Sequence, residues 1–421
     1  MNLLKFRIYF LTIIFCSFVS HVCAQQTFLS WEDCVRIARE HNPSYLSSVQ
    51  SFKSSGFSYR ASLNGIFPQV DLSTRYSDSD SNSENSKWRG DGEASLNVFD
   101  MKTYSQIKSA SAQEQKSKEN LNLVSSIVRS DLRNAFVKLI FSQEQLVVAE
   151  KIRDIRRNNS EMVTLKYNSG RESKGNMLQS NAEYKGAEAD LSQAKRSLKV
   201  AQIELNRHLG SDHFDVIFAT GSLDVRELLD DVDMKTLSQM HPQVIVQKGA
   251  LLQSKAALQE AKSSLWPTLS ASYSRSVIGK IFFPSDSYAW GVSGILNYPL
   301  FSGGPTATYN RTLAARANLR SAEMDYEAII REVRSQLESS WATLAGSVDK
   351  VEVQYGFLTA ARQRNQEASI RYSSGLMSYE DWQRVVSDLV NFERGFISAK
   401  RDSALAEADW NRSQGLQLEN P

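Results

Sequence analysis

The sequence lacks any long apolar segment in its main part, any strong excess of one charge and any group of cysteines. Beyond the first 24 residues, no stretch approaches the ~20 consecutive apolar residues of a transmembrane helix, so a position in a membrane would require β-strands. The 49 lysines and arginines nearly balance the 47 aspartates and glutamates. This balance argues against a nucleic-acid-binding protein, which needs a clear basic excess.

The first 24 residues have the pattern of a cleaved secretory signal. Lys5 and Arg7 precede an apolar run over residues 8–19, and Val22-Cys23-Ala24 follows where a signal peptidase cleaves. The alternative is lipidation at Cys23, although Val22 stands where lipidation favours a small residue. Cleavage predicts a mature chain from about Gln25, with a net charge near zero and Cys34 as its single cysteine. Such a chain has no internal disulfide.

Proline is absent from two long segments. None of the eight prolines occurs over residues 69–241 or 306–420. Because an internal proline costs a helix about 3 kcal/mol, these segments permit long uninterrupted helices.

The two halves of the chain repeat each other. Pro43 and Pro68 are 25 residues apart, as are Pro242 and Pro267, and His41 and His241 occupy corresponding sites near the first prolines. Three later matches keep one offset of 205 residues: 128–132 with 333–337, 167–170 with 372–375, and 206–210 with 411–415. Helical composition alone does not fix tyrosines and glycines at one offset. The chain is therefore predicted to be a duplication.

Each half carries a helical apolar stripe and, separately, an alternating strand pattern. The stripes, at steps of three and four, are Leu121, Val124, Val128, Leu132, Phe136 and Leu139, and Ile329, Val333, Leu337, Trp341, Leu344, Val348 and Val351. Their period is close to that of a coiled coil. A single helix over residues 101–166 would be roughly 100 Å long, which suits a conduit better than a globular domain.

Alternation with a period of two follows the second proline of each repeat. Val70, Leu72, Thr74 and Tyr76 share one face of a predicted strand, and polar residues share the other. These strands have the length and pattern of transmembrane strands, although a soluble sheet packed on helices would alternate in the same way. The polar segment 78–85 resembles an extracellular loop. Four strands cannot close a barrel, so a membrane sheet would require several protomers.

Taken together, the sequence resembles the TolC-like outer-membrane efflux protein family. The similarity covers residues 29–415 and rests on the duplication, on Tyr298-Pro299-Leu300-Phe301-Ser302-Gly303-Gly304, which is similar to the family's strand-to-helix segment, and on residues 371–381, which are similar to its inner helical turn. It implies a mainly α protein with a small β part, in which each duplicated unit gives two transmembrane strands and a long coiled-coil helical hairpin. Three subunits would form a 12-stranded β-barrel continued by a periplasmic α-helical tunnel.

The predicted organisation follows from this resemblance. It comprises a signal peptide (1–24), repeat one (25–210, strands 68–77 and 92–100, hairpin 101–210), an inter-repeat equatorial segment (211–238), repeat two (239–415, strands 267–277 and 289–301, hairpin 305–415) and a C-terminal tail (416–421).

The resemblance also implies partners and site residues. The partners are two further copies of the chain, outer-membrane lipid, a periplasmic adaptor (membrane fusion) protein and an inner-membrane pump. The adaptor would contact the hairpin tips, and the tunnel entrance would lie just beyond the second tip. The tip residues are Ser169, Gly170, Arg171, Ser374, Gly375 and Leu376. At the entrance, Asp381 matches the first of two family aspartates, whereas Arg384 replaces the second and would balance its charge.

No enzymatic site, cofactor or metal is predicted. His208 and His213, with Asp212 and Asp215, are interpreted as surface residues of a polar helix end, and no phosphate-binding loop or nucleophile–base pair occurs. The predicted function is passive conduction of small molecules or proteins across the outer membrane. The alternative is a non-conducting periplasmic coiled-coil scaffold or adaptor-binding protein.

Overall fold

A computed structural model describes residues 27–77, 87–211, 216–223, 233–282, 284, 287–300 and 306–418. The predicted signal peptide, Cys23, the polar segment 78–85 and the residues Asp212, His213 and Asp215 lie outside the described residues.

The described elements follow the repeat. The first half contains β1 (Thr27–Leu29), α1 (Trp31–His41), α2 (Pro43–Leu63), a 3-10 turn (Asn64–Ile66), β2 (Gln69–Ser77), β3 (Lys87–Phe99), α3 (Met101–Asn168) and α4 (Lys174–Leu209). The second contains β4 (Ile217–Ala219), α5 (Met234–Met240), α6 (Pro242–Ser263), β5 (Thr268–Gly279), β6 (Ser287–Asn297), α7 (Ala307–Ser373) and α8 (Tyr379–Ser413).

Two long helices dominate the molecule. Helices α3 and α7 have 68 and 67 residues without interruption, and each extends about 100 Å. In each repeat a shorter helix, α4 or α8, returns along the long one after a tight turn. Helix α2 also packs along α3, α6 lies against both long helices, and α8 contacts both as well. None of the described helices combines the length and apolar character needed to cross a membrane.

The predicted stripes form the seams between these helices. In α3, Leu132 and Leu139 are fully buried, and in α7 Val333 and Leu337 are buried as well. The remaining members of each stripe are buried or pack against the buried ones. The seams are narrow because the other faces of both helices carry charged and amide side chains, which stay in solvent.

The main sheet has the order β2-β3-β5-β6, with every neighbouring pair antiparallel. The two strands of repeat one therefore lie beside the two strands of repeat two. Strands β2 and β6 are the edges, and no described strand of the same chain pairs with their outer sides. A second, two-stranded sheet pairs β1 with β4 in parallel.

A compact core lies at the middle of the molecule, which we call the waist. It joins α1, the central part of α3, the end of α4 and the small β1–β4 sheet around buried residues such as Cys34, Leu132 and Leu205. The inter-repeat segment contributes Ile217 and Ala219. Leu418 is also buried there, and its backbone N–H donates to Ser125 Oγ at 2.9 Å.

Each repeat closes at the waist by packing a left-handed glycine on the start of its own proline-led helix. Gly210, at φ +78°, lies against the backbone of His41 and Asn42, and Gly415, at φ +75°, lies against His241 and Pro242. Asn42 caps α2 by accepting from Tyr45 N–H at 3.1 Å, and its Nδ2 donates to His208 O at 2.8 Å.

The structural counterpart of His241 is therefore Asn42. His241 caps α6 through Nδ1, which accepts from Gln243 N–H at 3.2 Å. The predicted correspondence between His41 and His241 is wrong, because the residue before each proline must supply the helix cap and His41 still lies inside α1.

We expect Gly210→Ala to destabilise the protein far more than Gly170→Ala. Both positions have positive φ, which costs an L-residue about 1–2 kcal/mol. A Cβ at Gly210 would also lie 2.3 Å from His41 O, whereas a Cβ at Gly170 meets nothing within 4 Å. Thermal unfolding of the purified variants measures the difference. Equal loss in both variants would show that the contact between Gly210 and His41 contributes no stability.

Candidate functional site

The two faces of the main sheet differ in chemistry. Directly paired residues share a face, and the register gives an apolar face and a polar face. The apolar face includes Val70, Leu72, Tyr76, Trp88, Ala94, Leu96, Leu269, Tyr273, Val277, Tyr288, Trp290, Val292 and Leu296. The polar face carries Asp71, Arg75, Arg89, Asp91, Glu93 and several serines. One sheet thus presents apolar chemistry to one side and hydrogen-bonding chemistry to the other.

The apolar face is not covered by the rest of the described chain. Leu72 is 85% exposed, and Val292 is 72% exposed. Aromatic side chains gather at both ends of the strands. Trp88 contacts Tyr76 and Phe282 at the end away from the helices, and Phe99 lies near Trp266 at the other end. An exposed apolar band between two aromatic rims matches the outer surface of a transmembrane barrel.

At the far ends of the long helices, the two hairpin tips have the same backbone geometry. Gly170 and Gly375 adopt φ of +73° and +77°. Arg171 N–H donates to Lys166 O, and Leu376 N–H donates to Arg371 O, both at 2.8 Å. This is the Schellman arrangement, in which glycine takes the left-handed position that ends a helix.

The side chains at these tips face solvent. Ser169 and Ser374 are the C-caps of α3 and α7, and both are exposed. Arg171 is exposed, and Leu376 is 80% exposed. Each predicted tip residue therefore lies at a hairpin end and is accessible to a partner.

Asp381 and Arg384 lie in the first two turns of α8. Ser378 caps this helix by accepting from Asp381 N–H at 3.1 Å, and its hydroxyl donates to the Asp381 carboxylate at 2.8 Å. The negative charge of Asp381 also suits the positive end of the helix dipole. Both side chains are exposed, and no ion pair joins them within this part of the described chain.

A buried aromatic cluster lies behind the second tip. Trp382 is fully buried and stacks on Tyr372 with ring centroids 4.3 Å apart, and Tyr379 packs against both. Burial raises the pKa of Tyr379 to about 12. Burial and a hydrogen bond to Glu172 also raise the pKa of Tyr372. Both phenols therefore stay neutral at physiological pH.

Tyr372 also links the two hairpins. Its hydroxyl donates to Glu172 at 2.8 Å, and Lys166 Nζ lies 3.9 Å from the centre of its ring and donates to its carbonyl oxygen. Partial burial opposes ionisation of Glu172, but hydrogen bonds from Asn176 and Tyr372 outweigh it and lower the pKa of Glu172. The charged Glu172 thus holds the end of one hairpin to the other.

A second link lies about four turns from the tip. Arg156, on α3, donates to Glu183 at 2.8 Å, to Gln383 at 3.1 Å and to Ser387 at 3.3 Å. Gln383 also donates to Glu183. Arg156 is largely buried, so these contacts satisfy a charge removed from water.

The third link places a carboxylate in the seam of α8. Glu393 is 3% exposed and accepts from Lys151 at 2.6 Å and from Arg362 at 2.9 and 3.0 Å. Burial alone would raise its pKa, but the bonds from Arg362 and Lys151 outweigh burial and lower the pKa of Glu393. Lys151 belongs to repeat one and Arg362 to repeat two, so one carboxylate joins both hairpins.

The sequence reasoning missed these links between the hairpins. A signal for Glu393 existed, since Trp382, Val386, Leu389 and Val390 lead along the buried face of α8 and the next position on that face is a glutamate. Arg156 gave no comparable signal, because it lies among many charged residues of α3 and two of its three partners, Gln383 and Ser387, belong to the other repeat.

Of the histidines and aspartates that the sequence singled out as potential metal ligands, His208 alone lies among the described residues. The described residues contain no group of three or more potential metal ligands. His208 is half-buried at the end of α4. Burial is the main cause that lowers its pKa, and the neighbouring Arg207 lowers the pKa further.

The sequence is similar to that of known proteins. Residues 35–211 match the profile of the family described as outer membrane efflux protein. The resemblance to this family is confirmed. The chain is also 21% identical to the alkaline protease secretion protein AprF of Pseudomonas aeruginosa, over 90% of this chain and 81% of that protein.

Solved structures of outer-membrane channels share the fold. A structure of CusC superposes with a TM-score of 0.82 at 15% identity, covering 94% of this chain and 95% of CusC. The outer membrane protein VceC of Vibrio cholerae superposes with a TM-score of 0.79 at 15% identity, covering 92% and 96%. These structures confirm the predicted fold class, and the family match together with the similarity to known outer-membrane proteins confirms the predicted outer-membrane location.

We expect Glu393→Gln to lower stability at neutral pH by about 2 kcal/mol, since hydrogen bonds to a charged group contribute roughly 1.5–3 kcal/mol. The contribution of Glu393 is present above the unfolded pKa of about 4.3 and is lost as pH falls through its lower folded pKa. Thermal unfolding between pH 7 and pH 3 measures it, and the variant should lose less stability over that interval than the wild type.

Asp190→Asn is the matched control. Asp190 pairs with Arg394 at 2.6 Å, but both side chains are more than half exposed, so its loss should cost well under 1 kcal/mol. Equal effects of the two substitutions would contradict a special role for the buried carboxylate.

Proposed function

We propose that this chain is the outer-membrane channel subunit of a tripartite efflux or secretion system. Three copies form a passive duct that conducts substrates from a periplasmic pump–adaptor assembly to the exterior. The observation that carries the proposal is the four-stranded sheet, which has an uncovered apolar face, a polar opposite face and two unpaired edges.

The open edges support the trimer. In lipid, each unsatisfied backbone group costs several kcal/mol, so an open sheet is not tolerated. Pairing β2 of one copy with β6 of the next satisfies these groups, and three copies give twelve strands, an allowed size for a closed barrel. The polar face, with Asp71, Arg75 and Glu93, then lines the interior.

A soluble scaffold accounts less well for these features. A soluble sheet would bury its apolar side chains against helices, yet Leu72 and Val70 remain 85% and 69% exposed. The duct also accounts for the length of α3 and α7, which would extend the barrel into the periplasm. The duct would conduct small molecules or proteins, and the similarity to AprF, whose name refers to secretion of a protease, supports the protein alternative.

At the other end, Asp381 and Arg384 would form the tunnel entrance. Three copies of each residue would place three negative and three positive charges around one mouth, so that these charges sum to zero. The links through Arg156, Glu393 and Tyr372 hold the two hairpins of each subunit together close to this mouth. Widening the entrance by moving one hairpin outward would therefore break charged hydrogen bonds, which favours a closed resting state.

We expect the purified protein to form trimers that conduct in a planar lipid bilayer. Asp381→Ala should lower the preference for cations over anions, and Arg384→Ala should raise it, because the two substitutions change the charge of the mouth in opposite directions. The measurement is the reversal potential under a salt gradient. A protein that neither trimerises nor conducts would contradict the duct. Conducting trimers in which neither substitution shifts the reversal potential would remove only the entrance assignment.

The hairpin tips would bind the adaptor. A photo-reactive amino acid at Arg171 or Leu376 should cross-link to a periplasmic adaptor in cells, whereas the same group at Val147, which is 64% exposed nearer the waist, should cross-link less. Mass spectrometry of the cross-linked bands gives the partner. Equal cross-linking from Val147 and the tips would contradict tip-directed docking.

A further inference from the structure

The apolar face of the main sheet carries one charged side chain among its described strand residues. Arg275, in the middle of β5, pairs directly with Gly92 on β3 and Trp290 on β6. It therefore shares a face with Leu72, Tyr273 and Val292. Its side chain is exposed, and its guanidinium carbon lies 5.9 Å from the centre of the Tyr288 ring. None of the acidic residues of these strands is on this face.

A groove lies beside this arginine. Gly90 and Gly92 leave the middle of β3 without side chains, while Leu72 on one side and Val277 on the other rise above the sheet. The resulting groove has a volume of about 490 Å³, and Arg275 forms part of its wall. A Cβ at Gly92 would lie 3.2 Å from Leu72 Cδ2, and one at Gly90 would lie 3.3 Å from Val277 Cγ2. Any side chain at these positions would fill the groove.

The position in the sheet indicates what the groove meets. It involves β2, β3 and β5, and its floor is on an inner strand, so pairing at the β2 and β6 edges leaves it uncovered. Arg275 is four residues from the end of β5 that lies away from the helices. In a strand tilted by about 40°, four residues correspond to a depth of about 10 Å. An arginine at that depth on a lipid-facing surface costs free energy unless its charge is compensated.

We propose that Arg275 and this groove form a binding site for a phosphorylated glycolipid of the outer leaflet. The guanidinium binds a phosphate of the headgroup, and an acyl chain lies in the groove over Gly90 and Gly92. Charge complementarity selects an anionic headgroup, and the apolar walls select a lipid rather than a free anion. Each trimer would have three such sites. This inference rests on the proposed position of the chain as an outer-membrane trimer.

The test compares lipid binding by purified trimers in detergent, using native mass spectrometry. The probes are bis-phosphorylated lipid A, its dephosphorylated form, phosphatidylglycerol and inorganic phosphate. We expect up to three lipid A molecules per wild-type trimer, and a loss of at least about tenfold in affinity for Arg275→Gln. Arg275→Lys should retain part of the affinity. Arg75→Gln is the matched control, because it removes the same charge from the polar face of the same sheet.

A second variant tests the groove itself. Gly92→Leu leaves Arg275 in place and should also weaken lipid A binding, and it supplies the comparison if Arg275→Gln does not assemble. Five results would each overturn the proposal: unchanged binding in both variants, equal loss in Arg75→Gln, equal binding of dephosphorylated lipid A, tighter binding of phosphatidylglycerol, or displacement of lipid A by inorganic phosphate. If the trimers conduct but show no Arg275-dependent binding, this inference alone fails. A wild-type protein without trimers or conductance would contradict the proposed function.

Discussion

The requirement that backbone hydrogen-bonding groups be satisfied in lipid governs the rest of this structure. The chain contributes four strands, with β2 and β6 as unpaired edges, and an open sheet of this kind is not stable in a bilayer. In the proposed trimer, closure through other copies would remove both edges. The helices would follow from the same requirement, because a trimeric barrel would fix where six long helices, α3 and α7 of each copy, leave the sheet. Their narrow apolar seams suit a wall of neighbouring helices better than a thick core.

Two kinds of interaction hold the helical part together, and they are distributed differently. Apolar contacts dominate the waist, where Leu132, Leu205 and Cys34 are fully buried. Toward the tips, charged hydrogen bonds centred on Arg156, Glu393 and Glu172 join the two hairpins. Apolar packing is not directional and tolerates small displacements. A buried charged pair loses several kcal/mol when one partner leaves. This distribution places the largest apolar core at the waist and the charged hydrogen bonds between the hairpins toward the tips.

Much of the fold could be predicted because its signals are periodic. The stripes through Leu132 and Leu337 define helices, the alternation around Leu72 defines a strand, and the constant spacing between the repeats shows that each half builds the same unit. Side-chain partners could not be predicted in the same way. Arg156 and Glu183 are close in the hairpin of repeat one, but Gln383 and Ser387 come from repeat two, and no local pattern pairs them. The predicted correspondence between His41 and His241 was wrong for a related reason, since His41 and Asn42 are neighbouring polar residues and either could be matched to the cap of α2 from sequence alone.

The duplication, the long helices, the strand faces and the glycines that reverse the chain can all be predicted from the sequence, because they depend on local periodicity and backbone preference. How the two repeats meet is visible only in the folded chain. The tertiary structure placed β3 beside β5, brought Lys151 and Arg362 to the same carboxylate of Glu393, and put Arg275 beside Gly92 on the apolar face. These contacts join residues separated by about 30 to 240 positions, so they depend on the register between elements, which local sequence does not encode.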